Sequence, residues 1–347
     1  MLMRGSVAIF GLSTIYLAAS SAIASLLVFS ILSFLFFRNN SLQKPAKSLL
    51  VRYFKIGISA SIVASLGILL TNMDILILGY FVTSSLLGYY VLAQKIAATT
   101  DITIRSITNQ LFVIYSDNFE IKNFEKINHI SNLSERYMSF CTMPFVILVI
   151  ISSKELLSFF GNDFVTAYST LILLCITTYI RALRFPHLLQ LTAALEMKLL
   201  GFINLGILSA NLILSIIFIP AKIGDFKLLG MGIEGAALST LLCSVVYGFT
   251  LRYFTYSKFQ TVFNWKIIFH LISACFSIGI ILVIKALISL NILLIIFCLP
   301  LSTALFFIFL YCFNEFTRDD FNYFWRLFSF KNMNNYIITD MKNMNVK

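Results

Sequence analysis

The chain has 347 residues, of which 59% are hydrophobic and only 12% are charged, and its formal net charge at pH 7 is +11. Soluble domains carry about 25% charged residues, so this composition excludes a water-soluble globular protein. The lysines and arginines lie in short segments between apolar runs, which is typical of an integral membrane protein and not of a nucleic-acid-binding surface.

Nine apolar runs are long enough to cross a bilayer, which takes about 20 residues per helix. They cover residues 7–37, 53–81, 85–115, 134–153, 166–193, 197–220, 229–254, 266–287 and 289–313. We therefore expect an all-α integral membrane protein with about nine transmembrane helices. The first run is too long for the core of a signal peptide, so we interpret it as a retained helix.

The third run, residues 85–115, is the least apolar because it contains Lys95, Asp101 and Arg105. It could instead lie in the membrane interface as an amphipathic helix. Its 31 residues and the alternation of positive charge along the chain favour a span.

Positive charge in the connections predicts the orientation of the chain. When the ends of the runs are counted with the connections, one set of alternate connections holds 17 lysines and arginines, the opposite set holds five, and four more lie deeper inside the runs. The C-terminus is therefore expected in the cytoplasm and the N-terminus outside. In the polar segment 316–347, Phe321, Phe324, Trp325 and Phe328 recur at helical spacing, which predicts either a short amphipathic helix on the cytoplasmic surface or a disordered tail.

The stretch LGMGIEGAALST, residues 229–240, contains Gly230, Gly232 and Gly235 in the spacing G-x-G-x-x-G. That spacing marks a dinucleotide site only where a strand precedes it inside a βαβ unit, and we expect neither here. Two pairs of small residues lie four positions apart, as in packed transmembrane helices. We therefore assign a helix-packing role to Gly232, Gly235, Ala236 and Ser239.

Three segments together resemble a known family. GMGIEGAALST, NMDILILGYFVTSSLLGYYVLAQKI (residues 72–96) and FGNDFVTAYSTLILL (residues 160–174) are similar, in order and spacing, to segments of polysaccharide-export flippases. These are the O-antigen and capsule translocases of the multidrug/oligosaccharidyl-lipid/polysaccharide exporter superfamily. The resemblance runs from about residue 1 to 330.

The resemblance implies an architecture of two six-helix lobes. Residues 1–37 would be the last helix of a first lobe, 38–255 a six-helix C-terminal lobe, 256–315 two additional transmembrane helices, and 316–347 a cytoplasmic tail. About five upstream helices of the first lobe would be missing. On this interpretation the chain is a fragment or the product of a shortened reading frame.

The resemblance also implies a cargo, a polyprenyl-pyrophosphate-linked oligosaccharide moved across the bacterial inner membrane for lipopolysaccharide O-antigen or capsule biosynthesis. Alternating access between two lobes would move it. The expected partners are that lipid-linked oligosaccharide, membrane lipids and other polysaccharide-assembly membrane proteins, with no nucleic acid. We expect no enzymatic activity, no catalytic residue, no cofactor and no metal site.

Charged residues inside apolar runs are costly, so they are the candidates for function. The cations are assigned to an anion or pyrophosphate site and the carboxylates to a coupling ion or to charge pairing. The proposed set is Lys95, Arg105, Arg181 and Arg184 for the anion, with Asp74 and Asp101 for the ion. Other polar residues could line a sugar path: Tyr89, Tyr90, Asn109, Gln110 and Tyr115.

Each candidate also has a structural interpretation. Asp101 and Arg105 are four residues apart and could neutralise each other on one helix face. Lys95 could reach towards an interface or pair with Asp74. Arg181 and Arg184 precede Pro186 with no acidic residue within a turn, which favours two unpaired guanidinium groups, unless they lie near the cytoplasmic end and contact lipid phosphate.

Three other functions remain open. A multidrug or cation antiporter of the same superfamily would need an acidic cavity, whereas the runs hold four cations and two carboxylates away from their ends. A membrane enzyme would need a larger outer loop than residues 154–165 provide. A non-transporting remnant, or a half-transporter that requires a partner chain, fits the missing lobe.

Overall fold

The computed structural model describes residues 14–39, 47–287, 294–317 and 320. Within these ranges, some side chains, including those of Arg105 and Asn109, are outside the described residues. So is nearly all of the predicted amphipathic segment 316–347.

Ten α-helices account for most of the described chain. They are α1 (Thr14–Asn39), α2 (Lys47–Phe81), α3 (Ser84–Ala97), α4 (Asp101–Glu120), α5 (Phe124–Ser158), α6 (Tyr168–Ala193), α7 (Met197–Phe218), α8 (Gly232–Phe259), α9 (Ile267–Leu287) and α10 (Leu294–Cys312). Two 3-10 helices, Ala98–Thr100 and Asn162–Ala167, precede α4 and α6. Two strands, β1 (Lys222–Ile223) and β2 (Phe226–Lys227), form a short antiparallel hairpin.

Within the described residues, every predicted apolar run corresponds to helix, and the all-α membrane fold is confirmed. Six helical segments of the described chain are long and apolar enough to cross a membrane: Ser48–Phe81, Phe124–Ser158, Asn162–Ala193, Met197–Phe218, Gly232–Phe259 and Ile267–Lys285. The third predicted run is divided, since the 3-10 turn Ala98–Thr100 separates α3 from α4. Asp101 opens α4, where a carboxylate is favoured by the positive end of the helix dipole.

The chain forms two compact units, residues 1–57 and 58–347. The first unit contains α1 and the start of α2. In the second unit α6 is the central helix, because it packs against α3, α4, α5 and α8. Fully buried side chains such as Leu171, Cys175 and Ala236 fill the space between these helices. The predicted boundary between a six-helix lobe and two trailing helices stays a prediction.

The glycine-rich stretch differs from expectation in two details. A hairpin, β1–β2, does precede α8, but it is antiparallel and supplies no βαβ unit. Gly232 has φ +56° and open space where a Cβ would be, so its structural role is a left-handed turn at the start of α8. Gly235 instead lies against the end of α7, where an added Cβ would be 2.7 Å from the Phe218 carbonyl oxygen. Ser239 hydrogen-bonds Ser215 of α7 across 2.9 Å.

Candidate functional site

A cavity of about 280 Å³ lies inside the second unit, between α2, α3, α4, α6, α7 and α8. Its lining combines apolar residues such as Leu174 and Ile207 with a set of charged and polar side chains. That set is Thr71, Asn72, Asp74, Gln94, Lys95, Asp101, Thr178, Arg181, Arg184, Asn211, Thr240, Ser244 and Tyr247.

Three of the four predicted cations line this cavity, namely Lys95, Arg181 and Arg184. Arg181 lies 13 residues after Tyr168 and 12 before Ala193, the two ends of α6. With a rise of about 1.5 Å per residue, it is near the middle of the helix. The alternative that the two arginines contact lipid phosphate stays a prediction. Arg105 lies on α4, but its side chain is outside the described residues.

Arg181 is paired, contrary to expectation. Its Nη1 donates to Oδ2 of Asp101 on α4 across 3.1 Å. Asp101 thus pairs with a cation 80 positions along the chain. A sequence comparison within one helical turn could not find this partner, because the ion pair depends on the packing of α4 against α6.

Arg184 contacts an aromatic ring instead of a carboxylate. Its guanidinium carbon lies 4.2 Å from the ring centroid of Tyr247 on α8, within the range of a cation–π contact. Arg184 makes no ion pair or hydrogen bond with a described side chain. Its N–H groups therefore remain available to a ligand in the cavity.

Lys95 is exposed, at the cavity lining on α3. It does not pair with Asp74, and among the described side chains it has no ion-pair partner. Counting Lys95, Arg181 and Arg184 against Asp74 and Asp101, the formal charge of the cavity is positive. An anion entering it would meet two cations that no described carboxylate neutralises.

Asp74 is 1% exposed and has hydroxyl partners. Its Oδ2 accepts hydrogen bonds from the hydroxyls of Tyr90, at 2.9 Å, and Thr240, at 2.6 Å. Its Oδ1 is buried without a partner, and so is Oδ1 of Asn211, which also lines the cavity. Unsatisfied buried oxygens are costly and suit a hard cation or a proton. The described residues hold no cluster of three or more His, Cys, Asp or Glu for a metal ion.

Two of the residues suggested for a sugar path are fully buried. Tyr90 and Tyr115 are 0% exposed, so neither offers a surface to a sugar. Tyr89 packs edge-on against Phe164, with ring centroids 4.8 Å apart. Gln110 is exposed on α4, and the side chain of Asn109 is outside the described residues.

Sequence reasoning missed a buried polar cluster around His187 of α6. Glu135 of α5 is 1% exposed and contacts His187 of α6 across 2.5 Å and Arg252 of α8 across 2.8 Å. The second ring nitrogen of His187 lies 2.9 Å from the hydroxyl of Thr255. These residues are far apart in sequence, so no local sequence pattern identifies them as a cluster.

A second cluster joins α5 and α9 to the segment after α10. Glu315 is 2% exposed and pairs with Arg136 at 2.9 Å and Lys266 at 3.1 Å. Arg136 also pairs with Asp320 at 2.6 Å. Burial raises the pKa of Glu315, but contacts with His270 and Lys266 and the charge of Arg136 outweigh it, so the net pKa lies below the usual value. The pKa of Asp320 is also lowered, since hydrogen bonds from Thr317 and the charge of Arg136 outweigh its burial.

Helices with exposed apolar faces, packed around a cavity with charged side chains, define a multi-pass α-helical membrane protein that can admit a polar or charged group. Residues 2–169, just under half of the chain, are similar to the family described as "Polysaccharide biosynthesis protein". The matched region includes Asp74, Lys95 and Asp101, whereas Arg181 and Arg184 lie beyond it. Comparison with curated proteins and with solved structures gives no match.

Proposed function

We propose that the protein is an exporter that translocates a polyprenyl-pyrophosphate-linked oligosaccharide repeat unit for O-antigen or capsule biosynthesis. The cavity would receive the pyrophosphate, and the sugars and polyprenyl chain would extend beyond it, since about 280 Å³ holds only a headgroup. The family match supports a role in polysaccharide biosynthesis.

The observation that carries the proposal is the pair of cations without carboxylate partners, Lys95 and Arg184, in a cavity between membrane helices. Placing such charges there costs about 2.5–3.5 kcal/mol each on insertion scales, which is compensated when they bind an anion. A guanidinium group can bind two phosphate oxygens at once, and a lysine adds a point charge. A multidrug antiporter for cationic compounds is less well supported, because the lining is formally positive.

The exchanged ion would bind at Asp74. Its unpartnered Oδ1, the Oδ1 of Asn211 and the hydroxyl of Thr240 provide oxygen ligands in one part of the cavity. A sodium ion or a proton there would neutralise the carboxylate and change the charge that the anion meets.

The proposal also includes the membrane in which the protein lies and the orientation of the chain in that membrane. The excess of positive residues in alternate connections favours a cytoplasmic C-terminus, and the cargo class favours the bacterial inner membrane. A half-transporter, whose transport pathway a partner chain completes, is a second candidate role.

The experiment is complementation of a strain that lacks its polysaccharide exporter. The variants Lys95→Ala and Arg184→Ala should reduce surface polysaccharide and leave the amount of protein in the membrane unchanged. Lys222→Ala, which removes an exposed cation in the hairpin away from the cavity, is the matched control and should export normally.

Full export by both cavity variants would refute the anion site. Export only when a second membrane chain is co-expressed would establish a half-transporter, and resistance to cationic drugs without export would establish the antiporter.

A further inference from the structure

Arg184 is held by a chain of contacts that crosses four helices. The ring of Tyr247 on α8 packs under its guanidinium group at 4.2 Å. The Tyr247 hydroxyl donates to Oδ1 of Asn204 on α7 across 2.5 Å, and Nδ2 of Asn204 donates to the Val63 carbonyl of α2 across 3.4 Å. Tyr247 and Asn204 are buried, at 5% and 3% exposure.

The contacts of Tyr247 with Asn204 and with Arg184 use different parts of the tyrosine side chain. The Tyr247 hydroxyl is occupied by Asn204, which leaves the ring face for Arg184. The ring in turn restricts the guanidinium group without supplying it a carboxylate. A long arginine side chain loses rotamer entropy when it binds a ligand, and restricting it beforehand reduces that loss.

Arg181 is restrained differently, because its partner is a carboxylate that competes with an incoming anion. Restraint by an aromatic ring keeps the charge of Arg184 unneutralised. The two arginines are one helical turn apart on α6, yet only Arg184 is both oriented and free to bind.

We propose that Tyr247, fixed by Asn204, is the positioning residue that presents the guanidinium group of Arg184 to the diphosphate of the cargo. This inference rests on the proposed function, and it concerns recognition of the anion, not the movement of the helices.

The test is calorimetric binding of inorganic pyrophosphate to the purified full chain in lipid nanodiscs. Tyr247→Leu removes the ring and should weaken binding about 2- to 12-fold, because immobilising a rotamer-rich side chain on binding costs about 0.5–1.5 kcal/mol. Tyr247→Phe keeps the ring but loses the hydrogen bond to Asn204, so its affinity should lie between those of the wild type and Tyr247→Leu. Tyr256→Leu, which removes an exposed tyrosine elsewhere on α8, is the control and should bind as the wild type does.

Measuring the effect of Tyr247→Leu in the Arg184→Ala variant distinguishes a positioning role of Tyr247 from a general loss of structure. If Tyr247 acts through Arg184, Tyr247→Leu should have no further effect on affinity in that background. An equal loss of affinity in both backgrounds would show that the ring only supports the fold, and unchanged affinity of Tyr247→Leu alone would also overturn the inference.

Pyrophosphate binding by the wild type and by Arg184→Ala shows whether a negative result refutes the positioning role of Tyr247 alone or the anion site as well. Pyrophosphate binding that is lost in Arg184→Ala and unchanged in Tyr247→Leu refutes the positioning role and keeps the anion site. No binding by the wild type refutes the anion site itself, and the positioning role with it.

Discussion

Arg181 on α6 donates to Asp101 on α4 across 3.1 Å. Of the three cations that line the cavity, Arg181 is therefore the one that a carboxylate of the same cavity neutralises. Both side chains are partly exposed, at 27% and 20%. The ion pair is therefore accessible, and an anion in the cavity would compete with Asp101 for Arg181.

Replacing Asp101 with Asn should release Arg181 and tighten the binding of inorganic pyrophosphate by about 3- to 10-fold, or roughly 0.7–1.4 kcal/mol. Titration calorimetry of the reconstituted protein measures the change. Asp225→Asn removes an exposed carboxylate from the hairpin and should leave affinity unaltered. Weaker binding by Asp101→Asn would mean that Asp101 orients Arg181 instead of competing for it.

Replacing Asp74 with Asn should remove the response to the exchanged ion and keep the binding of the anion. An amide keeps the shape of the carboxylate and loses its charge, while Tyr90 and Thr240 remain able to donate. Thermal unfolding in sodium chloride against choline chloride, and at several pH values, measures ion binding, since a ligand of the folded state raises the unfolding temperature. Identical ion responses in the wild type and Asp74→Asn would place the ion elsewhere.

Replacing Glu135 with Leu should destabilise the protein by about 3–5 kcal/mol, because the change leaves Arg252 and His187 without their buried partner. The free energy of unfolding in mixed micelles is the measurement. Glu125→Leu, at an exposed position in the first turn of α5, serves as the control and should change stability by about 0.5 kcal/mol or less. Equal effects of the two substitutions would deny the buried cluster a structural role.

The contribution of Glu315 to stability should depend on pH in a defined direction. Its pKa is lower in the folded protein than in the unfolded chain, so the ionised form stabilises the fold. The contribution is complete above the unfolded carboxyl pKa of about 4.3 and is lost as the pH falls through the lower folded pKa. The difference in unfolding temperature between wild type and Glu315→Gln should therefore be largest near neutral pH and diminish in acid. A difference that grows in acid would contradict the assignment.

The helices of this protein are predictable from the sequence, and the partners of its charged residues are not. Apolar runs of about 20 residues or more are a local property, and each run corresponds to observed helix. The grouping of Lys95, Arg181 and Arg184 follows from a similarly simple rule, that membrane-embedded charges face the protein interior. The pairing of Asp101 with Arg181, and of Glu135 with His187 and Arg252, depends on which helices are neighbours, and that is a property of tertiary packing.

The division of the third run, residues 85–115, into two helices is only partly predictable from its composition. Lys95, Asp101 and Arg105 make it the least apolar run, and its polar part is the one that contacts α6 through Asp101. Composition thus indicates an unusual segment, but it does not indicate that a 3-10 turn at Ala98–Thr100 would divide it.

The order of Asp101 and Arg181 along the chain has a consequence for biogenesis. A helix with two arginines near its middle partitions poorly into lipid by itself, by roughly 2.5–3.5 kcal/mol for each arginine. Because α4 is synthesised before α6, Asp101 is already part of the chain when Arg181 is made. Pairing with Asp101 as α6 packs against α4 would offset part of the insertion cost of Arg181.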